Sequence, residues 1–219
     1  MTLVATETVV FTIRSGVLGV LLARRPGNHW MLPGGALTDG HGLSATAQSA
    51  LSDQAGVSGV DLEQLYTFDH PSGIRVAFMA LISADRHALA PGPNLVEVRW
   101  FDHDDLPRLD EETADTVHFA RDRLRAKTVY APIAVQLLPG VFALGQLQSV
   151  YEAVLSTTLD PRNFRRDVLA AGIVEPTGEV RSDGPGRPAR MLRWVGGDFA
   201  VVPSERRGAR AISRLGTSD

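Results

Sequence analysis

Residues 34–57, GGALTDGHGLSATAQSALSDQAGV, place a two-glycine turn before a short helix that another glycine closes. Steps of three and four residues put positions 50, 53 and 54 on one face of that helix. Carboxylates at all three would form a site for Mg²⁺, which prefers several oxygen ligands and activates water for attack on a diphosphate. The chain has Ala50, Asp53 and Gln54 there. The stretch therefore predicts a phosphate-binding turn without a metal site, although an ordinary turn and a buried helix face also fit it.

A second stretch, LDPRNFRRDVLAAG, concentrates arginines in the first turns of a helix whose apolar stripe is Phe164, Val168 and Leu169. Arginine pairs with guanine through two hydrogen bonds, asparagine pairs similarly with adenine, and further arginines neutralise phosphates. The segment GPGRPAR adds two arginines where the tip of a hairpin would touch the DNA backbone or enter a minor groove. The predicted DNA-binding residues are Arg162, Asn163, Arg165, Arg166, Arg187 and Arg190.

Composition narrows the remaining classes of protein. Hydrophobic residues make up 44% of the chain and charged residues 21%, which is typical of a soluble globular protein. The sequence has no cysteine, which excludes disulfides, thiolate catalysis and cysteine-ligated metals. Its six histidines show no close helical spacing, so we assign no metal and no cofactor. The N-terminal stretch is interrupted by Glu7 and predicts a strand, not a signal peptide or a membrane span.

Charge is distributed unevenly along the chain. Residues 1–130 carry 11 basic and 16 acidic side chains, a net −5, whereas residues 131–219 carry 11 basic and 9 acidic side chains, a net +2. Every basic residue except Lys127 is an arginine, whose planar guanidinium suits phosphate and guanine, although a bias toward arginine codons would give the same composition. The halves are therefore expected to have different electrostatic roles.

The first half has the pattern of a mixed sheet with helices around it. Two β-rich runs flank Arg14-Ser15-Gly16, which predicts a hairpin, and three more runs are bounded by turn-forming residues. Helical periodicity appears twice. The predicted strands are Glu7–Ile13, Val17–Ala23, Leu62–Phe68, Ile74–Ser83 and Val96–Phe101, and the predicted helices are Leu43–Ala55 and Glu111–Ala126.

Past Tyr130 the pattern becomes helical. The run LGQLQSVYEAVLS predicts an amphipathic helix, and Asp160 before Pro161 begins a second helix that Gly172 ends. Two β-prone segments, 173–174 and 191–195, follow around a Gly/Pro/Arg-rich excursion. A helix pair followed by a hairpin is typical of a winged helix-turn-helix. We predict an α+β protein with an α/β/α domain over residues 1–130, a winged helix-turn-helix over 131–202 and a flexible tail over 203–219.

The first stretch resembles the Nudix box, G-x5-E-x7-R-E-U-x-E-E-x-G-U with U aliphatic, when Gly35 is its first glycine. The framework positions match at Gly35, Leu51, Gly56 and Val57. The chemical positions differ: His41, Ser49, Ala50, Asp53 and Gln54 stand where the motif has a glutamate, an arginine and three metal-site glutamates. The resemblance therefore implies a Nudix-like fold with a degenerate catalytic box.

From Glu7 to Val195 the chain resembles the Nudix-related bacterial regulators of NAD metabolism, above all in VYEAVLSTTLDPRNFRRDVLAAGIV and GRPAR, with further support from LEQLYTF, RWFDHDDLPRLD and KTVYAPIAVQLLP. This resemblance implies a cytoplasmic homodimer that represses NAD biosynthesis or salvage genes. Its C-terminal domain would bind palindromic operator DNA, and its Nudix-like domain would sense ADP-ribose or a related nucleotide. Residues Arg24, Gly34, Gly35 and Arg75 are the expected effector-binding residues.

Several alternatives stay open. The segment FDHPSGIRV (68–76) departs from the family pattern beside the expected pocket, and relatives of this architecture answer to sugar-related ligands. A Nudix hydrolase acting on ADP-ribose or another nucleoside diphosphate would need displaced groups, for which Asp39, Asp53, His41 and residues 102–105 are the candidates. A nucleotide-binding adaptor would use the arginine-rich helix as a solvated or protein-binding face. For a regulator, helix 111–126 and residues 127–139 are the expected transmitters between domains.

Overall fold

The computed structural model describes residues 3–38, 40–70, 73–182 and 188–196, without the side chain of residue 70. The N-terminal part contains strands β1 to β7 and helices α1 and α2, and the C-terminal part contains strands β8 to β10 and helices α3 and α4. The strands are β1 Leu3–Arg14, β2 Val17–Arg25, β3 His29–Met31, β4 Gly34–Ala36, β5 Glu63–His70, β6 Gly73–Leu81, β7 Glu97–Asp102, β8 Phe142–Ala143, β9 Val174–Arg181 and β10 Ala189–Trp194. The helices are α1 Leu43–Ala55, α2 Glu111–Tyr130, α3 Leu144–Leu155 and α4 Pro161–Ala170, with a 3₁₀ helix at Pro132–Leu137.

The predicted mixed sheet is present, with β1 parallel to β6 and its other pairs antiparallel. Strands β1 and β2 form the predicted hairpin, in which Ser15 and Gly16 both have positive φ, the requirement of a tight two-residue turn. Away from that turn β1 and β2 separate, and β4 takes the place of β2 beside β1, with Gly34 opposite Glu7. This divergence forms the end of the sheet at which the glycine turn lies.

Two helices cover the sheet on opposite faces, as an α/β/α sandwich requires. Helix α1 buries Leu51 and Ala55 against a cluster that includes Val10, Leu21 and Ala80. Helix α2 buries Val117, Ala120 and Leu124 against a cluster that includes Val9, Phe11 and Leu22. Adjacent residues of a strand face opposite sides, so the alternation along β1 separates the two clusters. The predicted fold class is confirmed by this arrangement.

Two glycines are required by the glycine turn and its helix. A Cβ on Gly34 would lie 2.2 Å from the carbonyl oxygen of Thr6, so only glycine allows β4 to approach β1 this closely. Gly56 ends α1 with φ of 70° and donates its N–H to the carbonyl of Ser52. Helix α1 therefore has the predicted bounds, Leu43–Ala55.

Helix α2 extends to Tyr130, four residues past its predicted end at Ala126. Thr128 stays helical and donates its hydroxyl to the Leu124 carbonyl, a local bond that the hydrophobic pattern does not reveal. Ala131 then turns to extended backbone, because the residue before a proline disfavours the helical conformation. The predicted end was wrong for this reason.

The C-terminal elements have the order and pairing of a winged helix-turn-helix. Helices α3 and α4 are followed by a sheet in the order β8-β10-β9. The Asp160 side chain caps α4 by accepting from the Asn163 N–H at 2.8 Å, and Gly172 follows the helix with φ of 64°. Strand β9 continues to Arg181, well past the predicted end at Val174, because the edge position tolerates Pro176 within a strand.

The apolar core is continuous between the two halves of the chain. One cluster of buried residues joins Val9 and Phe11 of β1 to Leu147 and Tyr151 of α3 and to Ile173 beyond α4. This cluster extends across the predicted boundary at residue 130, and the predicted domain limits stay a prediction. The predicted tail, 203–219, lies outside the described residues. Among the described helices, none is long and apolar enough to cross a membrane.

Candidate functional site

Gln54 closes helix α1 onto the glycine turn. The Gly34 N–H donates to Gln54 Oε1 at 3.1 Å, and Gln54 Nε2 donates to the Gly34 carbonyl at 2.6 Å. A glutamate at this position would present two acceptors and could not donate to that carbonyl. The amide therefore makes a neutral, two-bond clamp at a position where the Nudix box has a metal-site glutamate. Sequence reasoning counted Gln54 only as a missing ligand, because the pattern of a helix face does not show which backbone groups approach it.

The other candidate metal-site positions do not converge. Asp53 is exposed, and Ala50 is buried without a polar group. The His41 ring lies 3.1 Å from the Thr38 hydroxyl in an exposed loop, and Asp39 lies outside the described residues. Within the described parts of the chain, no group of three or more His, Asp or Glu side chains could hold a metal ion.

The acidic run 102–105 forms a turn at the end of β7. Asp102 accepts the Asp104 N–H at 2.9 Å, and the buried His103 ring lies 3.2 Å from the Asp104 carboxylate. These side chains therefore organise their own turn.

Arg24 lies near the end of β2, where it pairs with a carboxylate and an aromatic ring. Its guanidinium donates to Glu97 of β7 at 2.8 Å and lies 5.4 Å from the centre of the Trp30 ring. The Trp30 ring contacts Phe101 edge to face, on the α2 side of the sheet. Arg24 is thus half-buried and already neutralised in this conformation.

Arg75 on β6 lies in a partly buried ionic cluster. It donates to Glu7 of β1 at 3.0 Å and lies 3.5 Å from Glu112 in the first turn of α2. Its Nε–H is buried and has no acceptor among the described residues, an arrangement that costs free energy. Two carboxylates therefore lie against this guanidinium. An incoming anion would have to displace a carboxylate from Arg75.

Glu7 is the most buried member of the cluster. Burial raises its pKa above the usual glutamate value, while the hydrogen bond that the Thr116 hydroxyl donates at 2.7 Å and the charge of Arg75 oppose that rise. In the sequence, Glu7 stands out only as a polar interruption of an apolar run. Adjacent residues of a strand face opposite sides, so the position of Glu7 in the alternation of the apolar residues of β1 was the available signal that its carboxylate is buried.

The expected effector residues therefore lie at one end of the sheet but are not free. Gly34 and Gly35 pair with β1 at Glu7 and Thr6, and Arg75 lies opposite the neighbouring Ala5 on the other side of β1. The Gly34 N–H is engaged by Gln54, and both arginines are paired with carboxylates. Ligand binding at this end would require exchange of these partners. The assignment of these residues to an effector stays a prediction.

Helix α4 presents its predicted DNA readers to solvent. Phe164 and Val168 are buried, with the Phe164 ring 5.7 Å from that of Tyr151 in α3. The opposite face leaves Arg162 and Arg165 exposed and without a partner in the described part of the chain, whereas Arg166 pairs with Asp167 at 2.7 Å. Asn163 is half-buried, Arg190 is exposed on β10, and Arg187 lies outside the described residues.

The turn between α3 and α4 is held by two side chains that sequence reasoning missed. Gln148 donates to the Leu159 carbonyl at 3.0 Å, and Glu152 accepts the Leu159 N–H at 2.8 Å. Gln148 also donates to Glu152, so the pair acts as one unit. Their four-residue spacing on the polar side of α3 was the only signal in the sequence. The position of Asp160, and hence the start of α4, depends on this pair.

Two sequence families match the chain. The NUDIX domain matches residues 4–122, and the NrtR DNA-binding winged helix domain matches residues 134–193. The first match covers the sandwich up to the middle of α2, and the second runs from the 3₁₀ helix to β10.

Among curated proteins, the ADPR responsive transcriptional repressor NtrR of Acinetobacter baylyi is 27% identical over 217 residues, which cover 90% of this chain and 84% of that repressor. Among solved structures, Shewanella oneidensis NrtR complexed with a 27mer DNA is similar at a TM-score of 0.77 and 27% identity, covering 88% of this chain and 93% of that one. The NUDIX domain of the same protein complexed with ADP ribose is similar at a TM-score of 0.51 and 26% identity, covering 57% of this chain and 89% of that domain.

Proposed function

This chain belongs to the Nudix family and carries an NrtR-type winged helix DNA-binding domain C-terminal to its Nudix domain, and we propose that it is a transcriptional repressor. Its affinity for operator DNA would respond to ADP-ribose. The observation that carries this proposal is the exposed basic face of α4 on a buried apolar support. That face belongs to a chain that resembles, over nearly its whole length, a regulator solved with DNA. The ADP-ribose component rests on the similarity to an ADPR responsive repressor and to an ADP ribose-bound domain.

The proposal extends to the assembly and its targets. A single recognition helix reads one half-site, and palindromic operators match two-fold symmetric proteins, so we take the active form to be a homodimer. The regulated genes would be those of NAD biosynthesis or salvage, and the protein would act in the cytoplasm, where bacterial DNA is accessible.

We further propose that the Nudix domain binds without hydrolysis. Position 50 offers no oxygen ligand, and the side chain at position 54 is used by the Gly34 clamp. Mg²⁺ therefore lacks the set of carboxylates it would need to neutralise a diphosphate and activate water. Incubation with ADP-ribose and Mg²⁺ or Mn²⁺ should leave the nucleotide intact by chromatography, and turnover at an ordinary enzymatic rate would overturn this part of the proposal.

DNA recognition is tested by titrating labelled DNA from upstream of the gene and its neighbours and following fluorescence anisotropy. Replacing Arg162 and Arg165 by alanine should weaken selective binding by at least about tenfold, because each bidentate base contact is worth about 1–3 kcal/mol. Replacing the exposed Arg108, which lies before α2, is the matched control and should leave the affinity unchanged. Salt is held constant, since phosphate contacts make the affinity depend steeply on it.

Equal DNA affinities for the wild type and the Arg162/Arg165 variant would contradict DNA reading by α4. That result would favour the adaptor alternative, in which the same helix contacts a protein.

A further inference from the structure

Helix α2 contacts Arg75 and Glu7 near one of its ends and the winged helix near the other. In its first turns Glu112 lies 3.5 Å from Arg75, and Thr116 donates to Glu7. Near its other end Arg125 donates from Nη2 to the carbonyl of Leu155 at 3.1 Å. The 13 steps along the helix from residue 112 to residue 125 span about 20 Å at 1.5 Å per residue. A continuous helix therefore joins the ionic cluster around Arg75 to the winged helix.

The carbonyl that Arg125 binds is at a sensitive position. Leu155 is the last residue of α3, and the carbonyls of the last turn of a helix receive no hydrogen bond from within that helix. A guanidinium there supplies a donor and complements the negative end of the helix dipole. The next residue, Ser156, adopts positive φ and begins the turn into α4. Arg125 therefore fixes the chain from outside the winged helix just before the recognition helix.

The rest of that turn is held from within the winged helix. Gln148 and Glu152 bind the backbone of Leu159 and would keep the turn formed without Arg125. Removing Arg125 should therefore leave the recognition helix folded. What it removes is the hydrogen bond through which a shift of α2 would reach that helix.

We propose that Arg125 is the positioning residue that couples effector binding to DNA binding. The proposal rests on the proposed function, with the effector anion pairing with Arg75. Such pairing competes with Glu112, whose side chain is 48% exposed, and thereby changes the contacts of the first turn of α2. Arg125 carries the resulting shift to Leu155 and so to α4. An effector alters DNA affinity only when it binds the DNA-competent and the DNA-incompetent arrangement of the protein with different affinity. The path from Arg75 through Arg125 would make effector affinity depend on the position of α4.

The test compares Arg125→Ala with wild type and with Arg123→Ala. Arg123 is a matched control on the same helix, two residues away, where it lies 3.8 Å from Glu63 and contacts no residue of the winged helix among the described contacts. Three quantities are measured for each protein: the Kd for operator DNA, the Kd for ADP-ribose without DNA, and the Kd for operator DNA at saturating ADP-ribose. Fluorescence anisotropy and calorimetry provide them.

In wild type and Arg123→Ala we expect ADP-ribose to change the DNA Kd by a factor within the usual range for coupled sites, about 5- to 150-fold. In Arg125→Ala that factor should fall to about 1, while the two separate affinities stay within about threefold of wild type. Arg125→Lys, which still places a donor near the carbonyl, should recover part of the factor. Arg125→Met keeps the aliphatic stem without a donor, and it decides the question in the same way if the alanine variant does not fold.

The outcomes separate this inference from the proposed function. A wild-type factor of 1 would overturn the proposed ADP-ribose response itself. A normal factor in wild type that persists in Arg125→Ala, or in Arg125→Met where the alanine variant does not fold, would overturn the role of Arg125 and leave the proposed function intact.

Discussion

At the scale of single residues, the end of the sheet near β4 is organised by exchangeable polar contacts. Gln54 satisfies both backbone groups of Gly34, and Arg75 shares two carboxylates, Glu7 and Glu112. The Gly34 backbone and the Arg75 guanidinium, which these contacts engage, are also groups expected to bind the effector. Ligand affinity in this region is therefore the difference between the new contacts and those given up.

Gln54→Glu tests the clamp. The carboxylate would face the Gly34 carbonyl without a proton to donate, so the free energy of unfolding should fall by about 1–3 kcal/mol at pH 7. The deficit should shrink as the pH falls and the new carboxyl becomes protonated. Urea denaturation measures both effects, with the exposed Gln48→Glu of the same helix as the control. A variant as stable as wild type at pH 7 would show that the clamp contributes nothing.

Glu7→Gln tests the buried carboxyl. Because its folded-state pKa is raised, the folded protein binds more protons than the unfolded chain above the unfolded value of about 4.5. The stability that this raised pKa contributes is fully present below the unfolded pKa and is lost as the pH rises through the folded pKa. The stability of wild type relative to Glu7→Gln should therefore decrease between pH 4.5 and pH 7. Urea denaturation across this range measures the difference, and an opposite slope would show that Arg75 and Thr116 outweigh burial.

At the scale of elements, the recognition helix is defined by its cap, its apolar face and the preceding turn. Asp160 caps the helix and Phe164 anchors it, so its position follows wherever Leu159 is held. The Gln148–Glu152 pair holds Leu159.

Glu152→Ala should expose the importance of that turn. It leaves the N–H of the buried Leu159 without its acceptor, which should cost about 1–3 kcal/mol of stability. It should also weaken operator binding several-fold, because the start of α4 becomes less well positioned. Thermal melts and anisotropy measure the two losses. Glu175→Ala, on the wing strand β9, is the control, and an unchanged DNA affinity in Glu152→Ala would contradict the positioning role.

The sequence was most informative where local rules decide the outcome. Apolar spacing and Gly56 predicted α1 to the residue, and Asp160, Pro161 and Gly172 predicted α4. It was less informative where tertiary contacts decide. The pairing of β9 with β10 carries β9 to Arg181, and neither the partners of Gln54 nor the contact of Arg125 follows from any local pattern. The described site residues predicted from the sequence lie at one end of the sheet and on the winged helix. Their hydrogen-bond and ion-pair partners could be seen only in the folded chain.

At the scale of the whole molecule, the two halves share one apolar core. Buried side chains of β1, α2 and α3 belong to a single cluster, so the winged helix is not a freely tethered module. An effector would then act by small shifts between packed elements, not by releasing a domain on a linker. Packed interfaces favour discrete arrangements over continuous deformation.

The shared core predicts cooperative unfolding. Far-UV circular dichroism, which follows the whole chain, and the fluorescence of Trp194→Phe, which arises from Trp30 and Trp100, should give coincident thermal midpoints. The reason is that exposing the face of α3 also exposes the face of the sheet beneath it. Two separated transitions, with the fluorescence change confined to one of them, would show that the halves unfold independently.

The central claim is that operator DNA and ADP-ribose bind distinct, coupled sites on this chain. Linkage requires each ligand to change the affinity for the other by the same factor. We would measure the ADP-ribose Kd by calorimetry with and without saturating operator DNA, and the operator Kd by anisotropy with and without ADP-ribose, at one salt concentration. The account predicts two equal factors, both well removed from 1. Two factors of 1, with both ligands bound, would contradict it.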